Sequence, residues 1–408
     1  MILEIYTHTL NNGIRLIHQR VESPAAHFGI ILNTGSRDET TAEQGIAHFI
    51  EHVIFKGTKK RKAYHIISRI EDVGGELNAY TSKEETAVYA SFLNEHYSRS
   101  MELISDILTN STFPARELQK EKEVVIDEIN SYKDSPSELI FDDFDELLFD
   151  GHPIARNILG TPELVKSFTR DNIFDFVKKN YHTNEMVLCS VGNISFKRFL
   201  YLAEKFFNDI PYSPRETQRQ KFDNYTPGIR TEKRDTFQAH CVYGNIAYDA
   251  QDDKRMGMVL LNNMLGGQSM NSRLNLALRE RNGIAYNVES SYTAFSDTGQ
   301  FNIYFGTDRE NMERAIKIIK REFRQLKNKE LGILQLSKAK KQLIGQIALS
   351  SENRDDLMLA LGKSFLLYNK VDSLPQIYAK IEAITGQQLR EIANEIFDES
   401  RMSMLTYL

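Results

Sequence analysis

The chain has 408 residues, too long for one typical domain and suited to two. A hydrophobic content of 41% and a charged content of 26% are those of a soluble globular protein. A net charge of −5 argues against nucleic acid as the main partner. The longest apolar runs, such as MVLCSVG at 186–192, are far too short to span a bilayer, so no membrane partner is expected.

The N-terminal MILEIYTHTLNNGIRL reads as a first strand and a turn made by Asn11, Asn12 and Gly13. It has no basic stretch leading into an apolar one, so no secretion signal is expected. HFGIILNTGSRDE (27–39) is a strand with a polar end, followed by the helical stretch GIAHFIEHVIFKGT (45–58). ETAVYASFLNEHYSRSMELISDIL (85–108) is an alternating strand, a polar turn and an amphipathic helix. Strong helical periodicity spans 96–109, 115–132, 309–328 and 375–397. Cys189 and Cys241 lie in apolar strand-like runs and read as buried thiols in a reducing compartment.

Residues 209–235 hold three of the nine prolines, many charges and no period, which marks 211–234 as a linker. Beyond it the order of features repeats. AHCVYGNIAYDAQDD (239–253) leads into KRMGMVLLNNMLGG, and GQFNIYFGTDRENMERAIKIIKREF (299–323) parallels 85–108. The strands VYASFL and FNIYFG begin at 88 and 301, an offset of 213 residues. That offset sets Leu261, Met264 and Leu265 opposite His48, Glu51 and His52. The expected fold is therefore α+β, with two similar domains (1–210 and 235–408), each a mainly antiparallel sheet flanked by helices. Residues 1–210 carry 23 Lys+Arg against 32 Asp+Glu, and the remainder 28 against 24. An acidic and a basic half can attract one another within a chain or between chains.

His48 and His52 lie about 400° apart on a helix, so their side chains overlap on one face. Two imidazoles at that spacing can grip one metal ion. Glu51, about 60° from His48, can reach a water on that ion, the H-x-x-E-H order of the inverted zincins. A catalytic zinc takes three protein ligands, and a carboxylate is the usual third beside two histidines. ELQKEKEVVIDEINSYKDSP (117–136) offers Glu121 and Glu128, seven apart on one face of a helix whose apolar side holds Val124, Val125 and Ile129. Either carboxylate can be the ligand, with the other orienting a histidine.

With these residues the sequence resembles the pitrilysin and mitochondrial processing peptidase family of zinc endopeptidases. The matching segments are GIAHFIEHVIFKGT, GGELNAYTSKEETAVY (74–89), EKEVVIDEI (121–129), HPIARNILGTPE (152–163), NYHTNEMVLCSVGNI (180–194) and NSRLNLALRERNGIAYNVESSY (271–292). The resemblance implies zinc ligands His48, His52 and Glu128, catalytic base Glu51 and supporting carboxylate Glu121. It places Asn78 and Ala79 on an edge strand that pairs with extended substrate. It makes Arg279 and Tyr286 a pair that binds substrate backbone and the oxyanion. It also implies a closed chamber of four homologous domains, here from two chains. A homodimer is expected first, with Arg279 and Tyr286 contributed across the interface, and a heterodimer with a homologue second. The turn MLGGQSMNS (264–272) is too short for the long glycine-rich loop of presequence-handling subunits. The expected activity is therefore cleavage of short unstructured peptides in the cytoplasm, with a non-catalytic subunit of the same fold as the alternative. Acidic residues Asp72, Glu76, Glu84 and Glu85 near that strand could favour basic substrates, although solvation of a loop and a helix end is the preferred reading of them.

Overall fold

A computed structural model describes residues 4–408. Through residue 220 the elements are β1 (Ile5–Thr9), β2 (Arg15–Arg20), β3 (Ala25–Leu32), α1 (Ile46–Val53), α2 (Ala63–Glu71), β4 (Glu76–Thr81), β5 (Thr86–Leu93), α3 (Tyr97–Asn110), α4 (Ala115–Lys133), α5 (Pro136–Leu148), α6 (Pro162–Ser167), α7 (Arg170–Asn180), β6 (Met186–Gly192) and α8 (Phe196–Phe207). Then follow β7 (Ile229–Glu232), β8 (Ala239–Ala247), α9 (Arg255–Gly266), β9 (Val288–Ala294), β10 (Gly299–Thr307), α10 (Met312–Asn328), α11 (Ile333–Ser350), α12 (Arg354–Tyr368), α13 (Leu374–Ala383), α14 (Gly386–Ile396) and β11 (Ser403–Tyr407).

The first sheet has the order β1-β2-β6-β3-β5-β4 and the second β7-β11-β8-β10-β9. Apart from β1, the second order repeats the first, strand for strand. In each sheet one pair is parallel, β2 with β6 and β7 with β11. Every other pair is antiparallel. This is the expected α+β fold with two homologous, mainly antiparallel sheets flanked by helices. The 213-residue offset matches β5 to β10 and α1 to α9. At the positions equivalent to the histidines, Leu261 and Leu265 are buried in the second core and Met264 packs against it.

The chain forms two compact units, and these depart from a contiguous division. Residues 131–155, which carry α5, pack with the second sheet, and residues 350–371, which carry α12, pack with the first. Met358 and Phe365 of α12 lie against Ile17, Ile31, Val187 and Cys189. Gly362 allows this closeness, because a Cβ there would fall 2.7 Å from Ile31 Cδ1 and 3.0 Å from Cys189 Cβ. An amphipathic helix carries no label for the sheet it will cover, so periodicity does not reveal this exchange.

Two other expectations change. The stretch 211–234 contains a strand, β7, and its earlier part is tied down: Arg215 and Arg219 both grip Asp38 of the first unit. The helix expected over 375–397 is two helices. Thr385 starts the second one, its hydroxyl accepting from Gln388 N–H at 3.1 Å while Gln388 accepts from Thr385 N–H at 2.8 Å. Cys189 and Cys241 are free, buried thiols, as expected. No helix among the described residues is long and apolar enough to cross a membrane.

Candidate metal centre

Helix α1 buries one face and presents the other. Phe49, Ile50 and Val53 pack with Val125 and Ile129 of α4 and Phe168 and Phe176 around α7. Val124, expected on that apolar side, is exposed, since it lies about 100° round the helix from Val125. The helix starts at Gly45, whose φ of +93° suits glycine and whose missing Cβ leaves room for Leu159 O, 2.6 Å from where it would stand. A glycine offers no capping side chain. Glu39 caps the helix instead: its Oε2 accepts from Gly45 N–H at 3.0 Å and its Oε1 from Ala47 N–H at 2.9 Å. Glu39 is only 4% exposed, and Arg156 donates to its backbone carbonyl. Burial pushes its carboxyl up to about 8, the two N–H donors and Arg156 offsetting only part of the rise.

On the presented face the rings of His48 and His52 stand 4.7 Å apart, centroid to centroid. Glu128 Oε2 on α4 lies 3.8 Å from His48 Nε2 and 3.4 Å from His52 Nε2. A tetrahedral site with bonds of about 2.1 Å sets its ligand atoms roughly 3.4 Å apart. The three groups therefore fit a zinc ion, and together they form a set that can hold a metal. His48 is 7% exposed, and its buried Nδ1 has no hydrogen-bond partner. Burial, aided by His52, lowers the His48 pKa to about 4, which keeps the ring neutral and its lone pair free. Of the two carboxylates on α4, Glu128 meets both histidines, whereas Glu121 Oε2 faces His52 Nδ1 at 3.4 Å. Glu128, not Glu121, thus completes the group of three that can hold a metal.

Glu51 shares this face. Burial raises its carboxyl, Glu128 adds to the rise, and a hydrogen bond with Thr81 opposes it. Thr81 closes β4, the edge strand that carries Asn78 and Ala79. Those residues pair with Tyr89 and Val88 of β5, and among the described residues no strand occupies the other edge. The metal-ligand face and an open strand edge are thus neighbours in one unit. Of the acidic residues near that edge, Glu84 is paired with Arg37 at 2.6 Å and Glu85 with Lys363 at 2.9 Å. Asp72 and Glu76 are exposed.

Arg279 and Tyr286 belong to the second unit and are brought together there. Arg279 lies in a π-helical turn, Asn275–Glu280, in which Arg281 N–H reaches Leu276 O five residues back at 3.1 Å. Its guanidinium stands 5.2 Å from the centre of the Tyr286 ring, which is 80% exposed. Sequence reasoning missed Glu39 and Lys56. The only signal for Lys56 is its position, four residues after His52, where a continuing turn puts it on the same side.

Comparisons with known proteins agree with this geometry. Residues 16–162 match the family described as Insulinase (Peptidase family M16), and residues 167–343 match Peptidase M16 inactive domain. The chain is 33% identical over 398 residues to a Bacillus subtilis protein called "Uncharacterized zinc protease YmxG", covering 97% of this chain and 96% of that protein. It is 27% identical to the Caenorhabditis elegans mitochondrial-processing peptidase subunit beta, over 97% of this chain and 88% of the other. In fold it is similar to a peptidase M16 inactive domain from Pseudomonas fluorescens (TM-score 0.92, 20% identity, 99% of this chain and 98% of that one). It is equally similar to a protease from Helicobacter pylori (TM-score 0.91, 20% identity, both chains covered in full). With a metal-ligand set in its first half, apolar residues at the equivalent positions of its second, and relatives named zinc proteases along its whole length, the chain belongs to peptidase family M16, the insulinase family.

Proposed function

We propose that the chain is a zinc-dependent endopeptidase that hydrolyses short unstructured peptides bound as an added strand. The observation that carries this reading is the convergence of His48, His52 and Glu128, with Glu51 among them, beside the open edge of β4. His48, His52 and Glu128 would hold the ion. When bound, zinc polarises the scissile carbonyl and acidifies a water.

The chain's own residues do the rest. The N–H and C=O groups of Asn78 and Ala79 fix the peptide backbone without reading its sequence. Glu51 takes the proton of the attacking water and delivers it to the leaving amine, a role its raised pKa favours. Arg279 and Tyr286 donate to the oxyanion. In a homodimer that closes a chamber around the substrate, this pair comes from the partner subunit.

The test is metal content and cleavage of a mixed peptide pool, for the wild type and Glu51→Gln. One zinc per chain in both, with cleavage only by the wild type, is the expected result. Absence of zinc and cleavage in both would replace this reading with a non-catalytic subunit of the same fold. Mixing Glu51→Gln with Tyr286→Phe chains tests sharing across the interface. Recovery of activity in the mixture supports it, and no recovery refutes it.

A further inference from the structure

Glu121 is held from two sides, and unequally. Its Oε2 faces His52 Nδ1 at 3.4 Å, while its Oε1 is 2.6 Å from Lys56 Nζ. The shorter contact decides which partner fixes the carboxylate. Lys56 is therefore the anchor and His52 the group being anchored. Beyond His52 the same line continues to Glu128, 3.4 Å from His52 Nε2.

The backbone makes this arrangement possible. After α1 the chain keeps turning, with Lys56 N–H donating to Val53 O at 3.1 Å, so Lys56 emerges beside the helix's presented face. Its side chain is 27% exposed, and that of Glu121 less so. The electrostatics favour such a cation. Glu121 is buried, Glu51 half-buried and the Glu128 side chain 34% exposed, so three carboxylates crowd a partly desolvated face. A divalent ion and one ammonium match those three charges, whereas the ion alone leaves an uncompensated carboxylate.

We propose that Lys56 is a positioning residue for the metal centre, acting through Glu121 to hold the His52 ring with Nε2 toward the ion. This inference rests on the metal-centre reading above. Removing Lys56 frees Glu121 to swing away from its like-charged neighbours, and the ring then loses the group on Nδ1 that fixes its orientation.

The experiment measures Zn2+ affinity of the full chain, stripped and reloaded, by competition with a chromophoric chelator. Melting of the metal-free protein is followed alongside. Lys56→Met keeps an unbranched apolar stem, one atom shorter, and removes the charge, and Lys56→Arg restores the charge. The expected result is affinity about 10- to 100-fold weaker for Lys56→Met, largely recovered in Lys56→Arg, on top of whatever metal-free melting loses with the ion pair. In a Glu121→Gln background, Lys56→Met should weaken binding no further. Wild-type affinity in Lys56→Met overturns the proposal, as does an equal loss in the Glu121→Gln background. A lowered metal-free melting temperature with unchanged affinity also overturns it, reducing Lys56 to a structural ion pair. A wild type that takes up no zinc defeats the metal-centre reading itself and is distinguished by that control.

Discussion

Replacing Glu39 by Gln should loosen α1 without removing any group that meets the metal. Both carboxylate oxygens accept a backbone N–H at the helix start, from Gly45 at 3.0 Å and from Ala47 at 2.9 Å. Gln supplies one carbonyl oxygen and one NH2, so one of the two N–H groups is left facing a donor. An orphaned buried N–H costs about 1–3 kcal/mol. Above about pH 8, where the buried Glu39 carboxyl is ionised, loss of its negative charge at the helix N-terminus costs up to about 1 kcal/mol more. Relief of a buried charge gives part of this back, since burial pushes the Glu39 carboxyl up. A net loss of about 2 kcal/mol corresponds to roughly a 30-fold rise in local opening. Amide hydrogen exchange of residues 46–53 in the metal-free protein reads this directly. Faster exchange by that factor is expected across α1, with β2, β3 and β6 unchanged. Protection equal to the wild type would refute the idea that Glu39 clamps the helix.

Other outcomes follow from the same geometry. In unfolded chains a histidine takes its proton near pH 6.5, whereas folded His48 refuses it until about 4. Its stability contribution is therefore intact above 6.5 and is lost as pH falls toward 4. Denaturant titrations of the metal-free protein should show wild type losing about 3 kcal/mol relative to His48→Gln across that window, and parallel curves would contradict the assignment. Gly45→Ala forces a Cβ to 2.6 Å from Leu159 O at a φ of +93°. A loss of about 2 kcal/mol or more is expected in thermal melts, and a neutral effect would show that the helix start can shift. Tyr286→Phe should lower kcat by about 100-fold with little change in KM if its hydroxyl meets the oxyanion; a change confined to KM would assign it to ground-state binding.

The sequence showed the centre only where its parts share a helix. His48, Glu51 and His52 were legible because four residues make a helical turn, and Glu121 and Glu128 because seven make two. Which carboxylate meets both histidines depends on how α4 lies against α1, and no spacing within one helix encodes that. Glu39 was illegible because it reaches α1 across irregular backbone. Arg156, more than a hundred residues away, gave no local sign at all. The repeat of the two halves was readable from alternating strands, yet the exchange of α5 and α12 was not. Each of these helices has an apolar stripe that would suit either sheet.

That exchange bears on how the chain can come into being. One face of the first sheet is completed by Met358 and Phe365 of α12. A ribosome must therefore deliver the chain to about residue 371 before Ile17, Ile31 and Val187 are covered. Until then the nascent first half presents an apolar sheet face, the kind of surface that chaperones bind and that aggregates when left alone. The two halves can resemble a duplicated pair in sequence and still be unable to mature one after the other, and a gene cut at the midpoint should yield two fragments that fold only when both are present.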